Sequence, residues 1–154
     1  PTINTVTFNI GGGGDTFVVP FEVPFTVGTS TIDLDRTITY DGSVMSYPTI
    51  RITGPIEDCV ITNNSTGYKL DFTGTTIAAD DYYDIDLGYS DNTVVDSSDA
   101  NKIDDLTTDS DLVDFALEPH PEAEDGINTI NVTGSSVTAA TKIDINYYDY
   151  YIGI

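Results

Sequence analysis

Apolar and polar residues alternate along most of this chain. In one stretch Ile32, Leu34, Ile38 and Tyr40 fall on one face of an extended backbone, and Asp33, Asp35, Thr37 and Thr39 fall on the other. A period of two is typical of β-strands that bury one face. The same alternation recurs in segments centred on Phe8, Ile50, Leu70, Ile85, Ile130 and Ile145. The pattern therefore predicts many short strands.

Turn-forming residues separate these segments, with 13 Gly and seven Pro in the chain. Short strands joined by such turns indicate an all-β protein, an antiparallel β-sandwich or a barrel. We expect one domain over residues 1–154, with residues 1–28 as an extended N-terminal arm or outer strands. Pro20 and Pro24 exclude a central strand in that region, because proline lacks a backbone donor. The one candidate helical turn lies near residues 107–113.

The charge balance is extreme, with 26 acidic and five basic residues and a formal net charge of −21. Such a surface repels phosphate groups, so we expect neither direct nucleic-acid binding nor attachment to anionic membranes. Three explanations of the acidity remain open: solubility, adaptation to high salt, and docking to a basic partner ring or to cations. The N-terminus lacks a basic region followed by an apolar run, so no signal peptide is predicted.

Residues for catalysis or for cofactor binding are few. His120 is the single His and stands between two prolines, which predicts an exposed loop. Cys59 is the single Cys and is expected to be buried. One His and one Cys are too few for a zinc site of His and Cys ligands, which is therefore excluded. Residues 11–15 are glycine-rich but lack the Lys and Ser/Thr of a phosphate-binding loop. We expect no catalytic residue and no cofactor.

Carboxylates are numerous enough to pair by chance. Asp33 with Asp35, and Asp84 with Asp86, alternate with apolar residues, which favours a solvated strand face over a glycosidase pair. The acidic run from residue 91 to 114 is the best candidate for a calcium site, because calcium binds six to eight oxygens. Its ligands would be Asp104, Asp105, Asp109 and Asp111. The spacing departs from a calcium-binding loop, so a solvated acidic loop is the favoured interpretation.

Several short motifs occur in a characteristic order. Residues 36–54 read R-T-I-T-Y-D-G-S-V-M-S-Y-P-T-I-R-I-T-G and Pro55 follows. Residues 63–70 read N-N-S-T-G-Y-K-L, residues 83–86 Y-D-I-D, residues 110–112 S-D-L, residues 115–117 F-A-L, residues 126–130 G-I-N-T-I, and residues 147–154 Y-Y-D-Y-Y-I-G-I. Each motif is a turn with a strand and is not specific by itself. The order and spacing of the whole set can be compared with known families.

This ordered set resembles the C-terminal domain of the siphovirus distal tail protein family, a family of phage tail components. The resemblance covers roughly residues 32–154. It implies a galectin-like or carbohydrate-module-like jelly roll and a structural role in a virion tail, at the tail tip or baseplate. It also implies other tail proteins as partners, and a homo-oligomer in the assembled tail. Family proteins begin with a separate ring-forming β domain, so this chain is expected to be a fragment or a compact variant.

Aromatic residues near both termini are the interface candidates, namely Phe21, Phe25, Tyr148 and Tyr150. Adjacent Tyr147 and Tyr148 point to opposite sides of a strand, so one ring must leave the core. Two alternatives to tail assembly remain open. A non-catalytic carbohydrate-binding module for host-surface polysaccharide would present a concave sheet face with exposed Tyr, although the chain has no Trp. A glycoside hydrolase would need a deep pocket with paired carboxylates.

Overall fold

Two antiparallel β-sheets form the protein, as a computed structural model of residues 2–9, 30–120 and 124–153 shows. The strands are Ile3–Asn9 (β1), Ile32–Thr39 (β2), Thr49–Thr53 (β3), Ile56–Asn63 (β4), Lys69–Asp71 (β5), Thr76–Ile77 (β6), Tyr82–Asp86 (β7), Thr93–Asp96 (β8), Ile127–Ser135 (β9) and Lys142–Tyr148 (β10). The predicted all-β antiparallel sandwich is confirmed.

The order of strands differs from their order along the chain. The first sheet runs β1-β10-β3-β7-β8, and the second runs β2-β9-β4-β5 with β6 beside β4. Both pairings of β10, with β1 and with β3, are antiparallel. The last strand of the chain is therefore an inner strand of the first sheet, between β1 and β3.

The hydrophobic core lies between the two sheets and follows the alternation of the sequence. Phe8, Ile50, Ile52, Ile85, Ile143 and Ile145 point inward from the first sheet, and Ile38, Ile61, Leu70, Ile130 and Val132 do so from the second, all at most 1% exposed. Burial of apolar area at about 25 cal/mol per Å² is the main force that holds the sheets together. The outward side chains of each strand remain available for function.

A long connection from β8 to β9 covers one end of the second sheet. Its backbone bonds to β5, with the Thr107 amide donating to the Asp71 carbonyl and the Asp111 amide donating to the Lys69 carbonyl, each at 2.8 Å. Because this segment bonds to a neighbouring strand, residues 107–113 form turns, and the candidate helical turn is absent. The helical elements of the described residues are two short 3-10 turns, Ile103–Asp105 and Glu124–Gly126.

The N-terminal arm expected over residues 1–28 is described in part. Ile3–Asn9 is an edge strand of the first sheet, beside β10. Residues 10–29, which include Phe21, Phe25 and the glycine-rich run, lie outside the described residues. No helix in the described parts of the chain has the length and apolar character needed to cross a membrane.

Candidate functional site

The outer face of the first sheet carries a groove of about 640 Å³. Outward-facing side chains from all five strands of that sheet line it. Ligand sites typically measure roughly 300–1,000 Å³ and carry a few well-placed polar groups. This groove is therefore a candidate binding site among the described residues.

Two rows of side chains cross the groove at right angles to the strands. The strand register places Thr5, Asn146, Thr49, Asp86 and Thr93 side by side in one row. It places Thr7, Asp144, Arg51, Asp84 and Val95 in the next. Neighbouring strands lie about 5 Å apart, so each row extends about 20 Å across the sheet.

Side-chain hydrogen bonds hold both rows in position. The hydroxyl of Thr5 donates to Asn146 Oδ1 and that of Thr7 donates to Asp144 Oδ1, each at 2.6 Å. Asp86 Oδ1 accepts from the Gly88 amide at 2.8 Å. The groove thus presents oriented hydroxyl, amide and carboxylate groups.

Arg51 is the central charged group of the groove. Its Nε and Nη2 each donate to one oxygen of Asp84 at 2.6 Å, a bidentate pair. The hydrogen bond from Arg51 to Asp84 raises the pKa of the guanidinium, which therefore remains charged. The guanidinium carbon also lies 4.1 Å from the ring centroid of Tyr82, within the range of a cation–π contact.

The groove is close to neutral in a strongly acidic protein. Lys142 Nζ lies 2.9 Å from Asp144 Oδ2, so that Arg51 and Lys142 each neutralise a carboxylate. Asp86 remains as the third carboxylate of the lining. Two of the five cations of the chain are thus concentrated on this one face.

A second exposed surface lies where the chain ends. Val44, Met45, Tyr150, Tyr151 and Ile152 are 37%, 42%, 46%, 63% and 69% exposed, and are called the C-terminal patch below. The Ser43 amide donates to the Tyr150 carbonyl at 2.7 Å, and the Ile152 amide donates to the Ser43 hydroxyl at 2.8 Å. These bonds hold the loop after β2 and the segment after β10 side by side.

The buried Tyr40 holds this C-terminal segment in place through its hydroxyl group. Its ring is fully buried and packs edge-on against Tyr147, with centroids 6.0 Å apart. Its hydroxyl donates to the Val44 carbonyl at 2.7 Å and accepts from the Tyr150 amide at 3.0 Å. Burial raises the pKa of this hydroxyl. Of the interface candidates, Tyr148 is half-buried, Tyr150 is exposed, and their rings lie 6.1 Å apart.

Two buried asparagines connect motifs that are far apart in the sequence. Asn63 Nδ2 donates to Asn128 Oδ1 and to the Ala116 carbonyl, each at 3.0 Å. Asn128 exchanges hydrogen bonds with the backbone of Glu118, accepting at 2.8 Å and donating at 3.1 Å. The sequence indicated only a turn or strand role for Asn63, and the buried pair was not expected.

Gly126, two residues before Asn128, also has a defined structural role. The Tyr40 amide donates to the Gly126 carbonyl at 2.9 Å. Gly126 adopts φ +71°, and a Cβ there would lie 2.1 Å from the Tyr40 carbonyl oxygen. A side chain is excluded on both grounds.

The acidic loop does not bring the candidate calcium ligands together. Asp105 Oδ2 accepts from the Tyr83 hydroxyl and Asp109 Oδ2 from Lys69 Nζ, both at 2.6 Å, and Asp111 Oδ2 accepts from the Lys69 amide at 3.0 Å. Asp104 is exposed. Of the residues described, no three His, Cys, Asp or Glu side chains are grouped so that they could share a metal ion.

The remaining candidates take structural positions. His120 is exposed, and Asp33 and Asp35 are exposed on β2, where both accept from the Asn131 amide. Cys59 is 1% exposed, and burial raises the pKa of its thiol to about 12, so it is not a nucleophile in the folded protein.

The sequence did not reveal the groove, although Asp84 and Asp86 were identified on a solvated face. Alternation marks which side chains point outward, but the rows depend on which strands become neighbours. Comparison with family models, curated proteins and solved structures finds no match to this chain.

Proposed function

We propose that this chain is a structural building block of a phage or phage-like tail, which assembles with other tail proteins at the tail tip or baseplate. The observation that carries the proposal is the C-terminal patch. Its five large apolar residues are exposed on two segments that hydrogen bonds hold side by side, in a protein with a net charge of −21. Exposed apolar groups that cluster in this way are typical of interaction sites.

The surroundings of the patch indicate what partner would fit it. Asp41 and Asp149 flank it in sequence, and the Tyr151 hydroxyl lies 3.4 Å from Asp41 Oδ2. An apolar centre with an acidic rim is complementary to a partner with an apolar centre and basic rim. The net charge supports a protein partner and disfavours nucleic acid and anionic membrane.

The positions of the tail-family motifs support the same proposal. Residues 36–54 run from β2 through the Tyr40 anchor to the end of β3. Asn63 of one motif and Asn128 of another meet in a single hydrogen-bond network. The aromatic ending, residues 147–154, contributes three members of the patch. Several of the residues that carry the resemblance therefore have either a buried structural role or an exposed apolar one.

The test is co-assembly with the other tail proteins of the same virus, followed by sedimentation and electron microscopy. We expect the native chain to enter tails, as one copy or as a homo-oligomer. Tyr151→Ser/Ile152→Ser should abolish entry. The matched control is Tyr89→Ser/Val113→Ser, since Tyr89 and Val113 are 91% and 65% exposed outside the patch. This control should assemble normally.

Two results would contradict the proposal. One is that the native chain does not enter tails under conditions in which the other components assemble. The other is that the patch variant and the control variant enter equally well, which would separate assembly from the patch.

A further inference from the structure

We propose that the groove on the outer face of the first sheet binds a neutral oligosaccharide. The groove and the C-terminal patch share no residue, so this inference does not depend on tail assembly. Three properties of the groove carry it: its hydrogen-bonding groups, its internal charge pairing and its apolar margin.

The hydrogen-bonding groups match a ligand rich in hydroxyls. A sugar hydroxyl both donates and accepts, so its site must offer both functions. The threonine hydroxyls of Thr49 and Thr93 can do both, and the Asp86 carboxylate accepts. Thr49 and Thr93 are β-branched and have few rotamers, and the Gly88 amide holds Asp86. Little conformational entropy is therefore lost when a ligand binds.

The charges of the groove favour an uncharged ligand. Arg51 and Lys142 are occupied by Asp84 and Asp144, and the lining retains one net negative charge. An anionic sugar would meet this charge and the field of the whole molecule. A basic peptide would have to compete with Arg51 and Lys142 for their carboxylates. A neutral polyhydroxylated chain can bond to the paired groups without separating them.

The apolar margin suits the C–H face of a sugar ring. Val95 lies in the same row as Arg51, at the β8 edge of the groove. Tyr82 lies two residues before Asp84 on β7, and the Arg51 guanidinium lies over one face of its ring. Val95 and this stacked pair border the hydrogen-bonding groups of the groove. With rows about 20 Å long, the groove has room for several sugar units.

The experiment is a titration of the full chain, followed by isothermal calorimetry and by amide chemical shifts in NMR spectra. The probes are three neutral hexasaccharides, maltohexaose, cellohexaose and mannohexaose, with hexagalacturonate and hexalysine as charged comparisons. We expect at least one neutral probe to bind and to shift amide signals of β3, β7 and β10. The charged probes should shift these groove signals less at the same concentration.

The variant Thr49→Val/Thr93→Val removes two groove hydroxyls and keeps β-branched side chains in both strands. Loss of about two hydrogen bonds should weaken binding at least tenfold. The matched control is Thr37→Val/Thr129→Val, a cross-strand pair on the outer face of the second sheet, which should leave affinity unchanged. Arg51→Lys keeps the charge but removes the bidentate fork, and it should weaken binding several-fold.

The inference is overturned if no neutral probe binds at concentrations up to about 10 mM. It is also overturned if hexagalacturonate or hexalysine binds at the groove, as judged by the amide shifts of β3, β7 and β10, more tightly than every neutral probe. Equal loss of affinity in the groove variant and the control would show that the sugar binds outside the groove, which would also overturn the inference. Circular dichroism of each variant establishes that it is folded.

Discussion

At the scale of single residues, the buried side-chain amides of Asn63 and Asn128 form hydrogen bonds with backbone groups, which apolar core residues cannot do. The end of the connection between β8 and β9 brings backbone groups of Ala116 and Glu118 against the second sheet, away from water. A buried backbone donor or acceptor without a partner costs about 1–3 kcal/mol. The two asparagines supply those partners and so fix the course of the loop.

Replacing Asn128 by Ala should therefore cost about 3 kcal/mol of unfolding free energy, because the Glu118 amide and carbonyl and the buried Asn63 amide lose their partner together. Asn131→Ala is the matched control on the same strand. Its amide bonds to Asp33 and Asp35 on the exposed face, so the expected loss is about 0.5 kcal/mol. Urea denaturation of both variants measures the difference. Equal losses would mean that the buried network contributes nothing beyond a surface contact.

At the scale of secondary-structure elements, one hydroxyl connects β2 to the segment after β10. Tyr40→Phe removes the Tyr40 bonds to Val44 and Tyr150 but keeps the ring in the core. We expect a loss of about 2 kcal/mol and faster cleavage by chymotrypsin at Tyr150 and Tyr151. Tyr89→Phe, at a position that is 91% exposed, serves as the control. Unchanged proteolysis of Tyr40→Phe would show that the segment is held in another way.

The link between β5 and the acidic loop should titrate at low pH. Hydrogen bonds from Lys69 and from the Thr107 hydroxyl lower the pKa of Asp109 from 3.8 to about 2. A carboxylate with a lowered pKa stabilises the fold above its unfolded-state pKa. That contribution is lost as the pH falls from about 4 to about 2, through the folded-state pKa.

Lys69→Met should therefore lower the thermal midpoint at pH 5, and the difference from the native chain should shrink as the pH approaches 2. Lys102→Met is the control. The pKa of its partner Asp96 is lowered first by the backbone amides of Ala100 and Ser98. Asp96 should therefore keep most of its stabilising effect when Lys102 is replaced. Thermal melts at pH 5, 4, 3 and 2 measure this. A difference for Lys69→Met that is constant with pH would point to lost packing and not to lost charge pairing.

At the scale of the whole molecule, self-repulsion dominates the electrostatics. Arg51, Lys69, Lys102 and Lys142 already pair with Asp side chains, and a net charge of −21 remains. Sodium chloride between 0.01 M and 1 M shortens the Debye length from about 30 Å to about 3 Å. The thermal midpoint should rise over this range.

Calcium chloride at matched ionic strength distinguishes screening from specific binding. Since the described acidic side chains form no shared metal position, calcium should raise the midpoint no more than sodium does. A larger rise with calcium, saturating at low concentration, would establish an ion site. A flat response to sodium chloride would mean that repulsion does not limit stability.

The sequence by itself determined the class of fold and the faces of the strands. Alternation at Ile50 and Ile52, or at Ile143 and Ile145, is local information, because the pleat of one strand places every second side chain on the same side. The buried positions of these residues follow directly. The outward direction of Asp84 and Asp86 followed in the same way.

Only the tertiary structure decided which strands become neighbours. β10 pairs with β1 and β3, across most of the length of the chain, and no local pattern encodes such a pairing. The two rows of the groove, the Asn63–Asn128 bond and the C-terminal patch all arise from contacts of this kind. The candidate helical turn near residues 107–113 is absent for the same reason, since the Asp111 amide bonds to Lys69 of β5 and not within a helix.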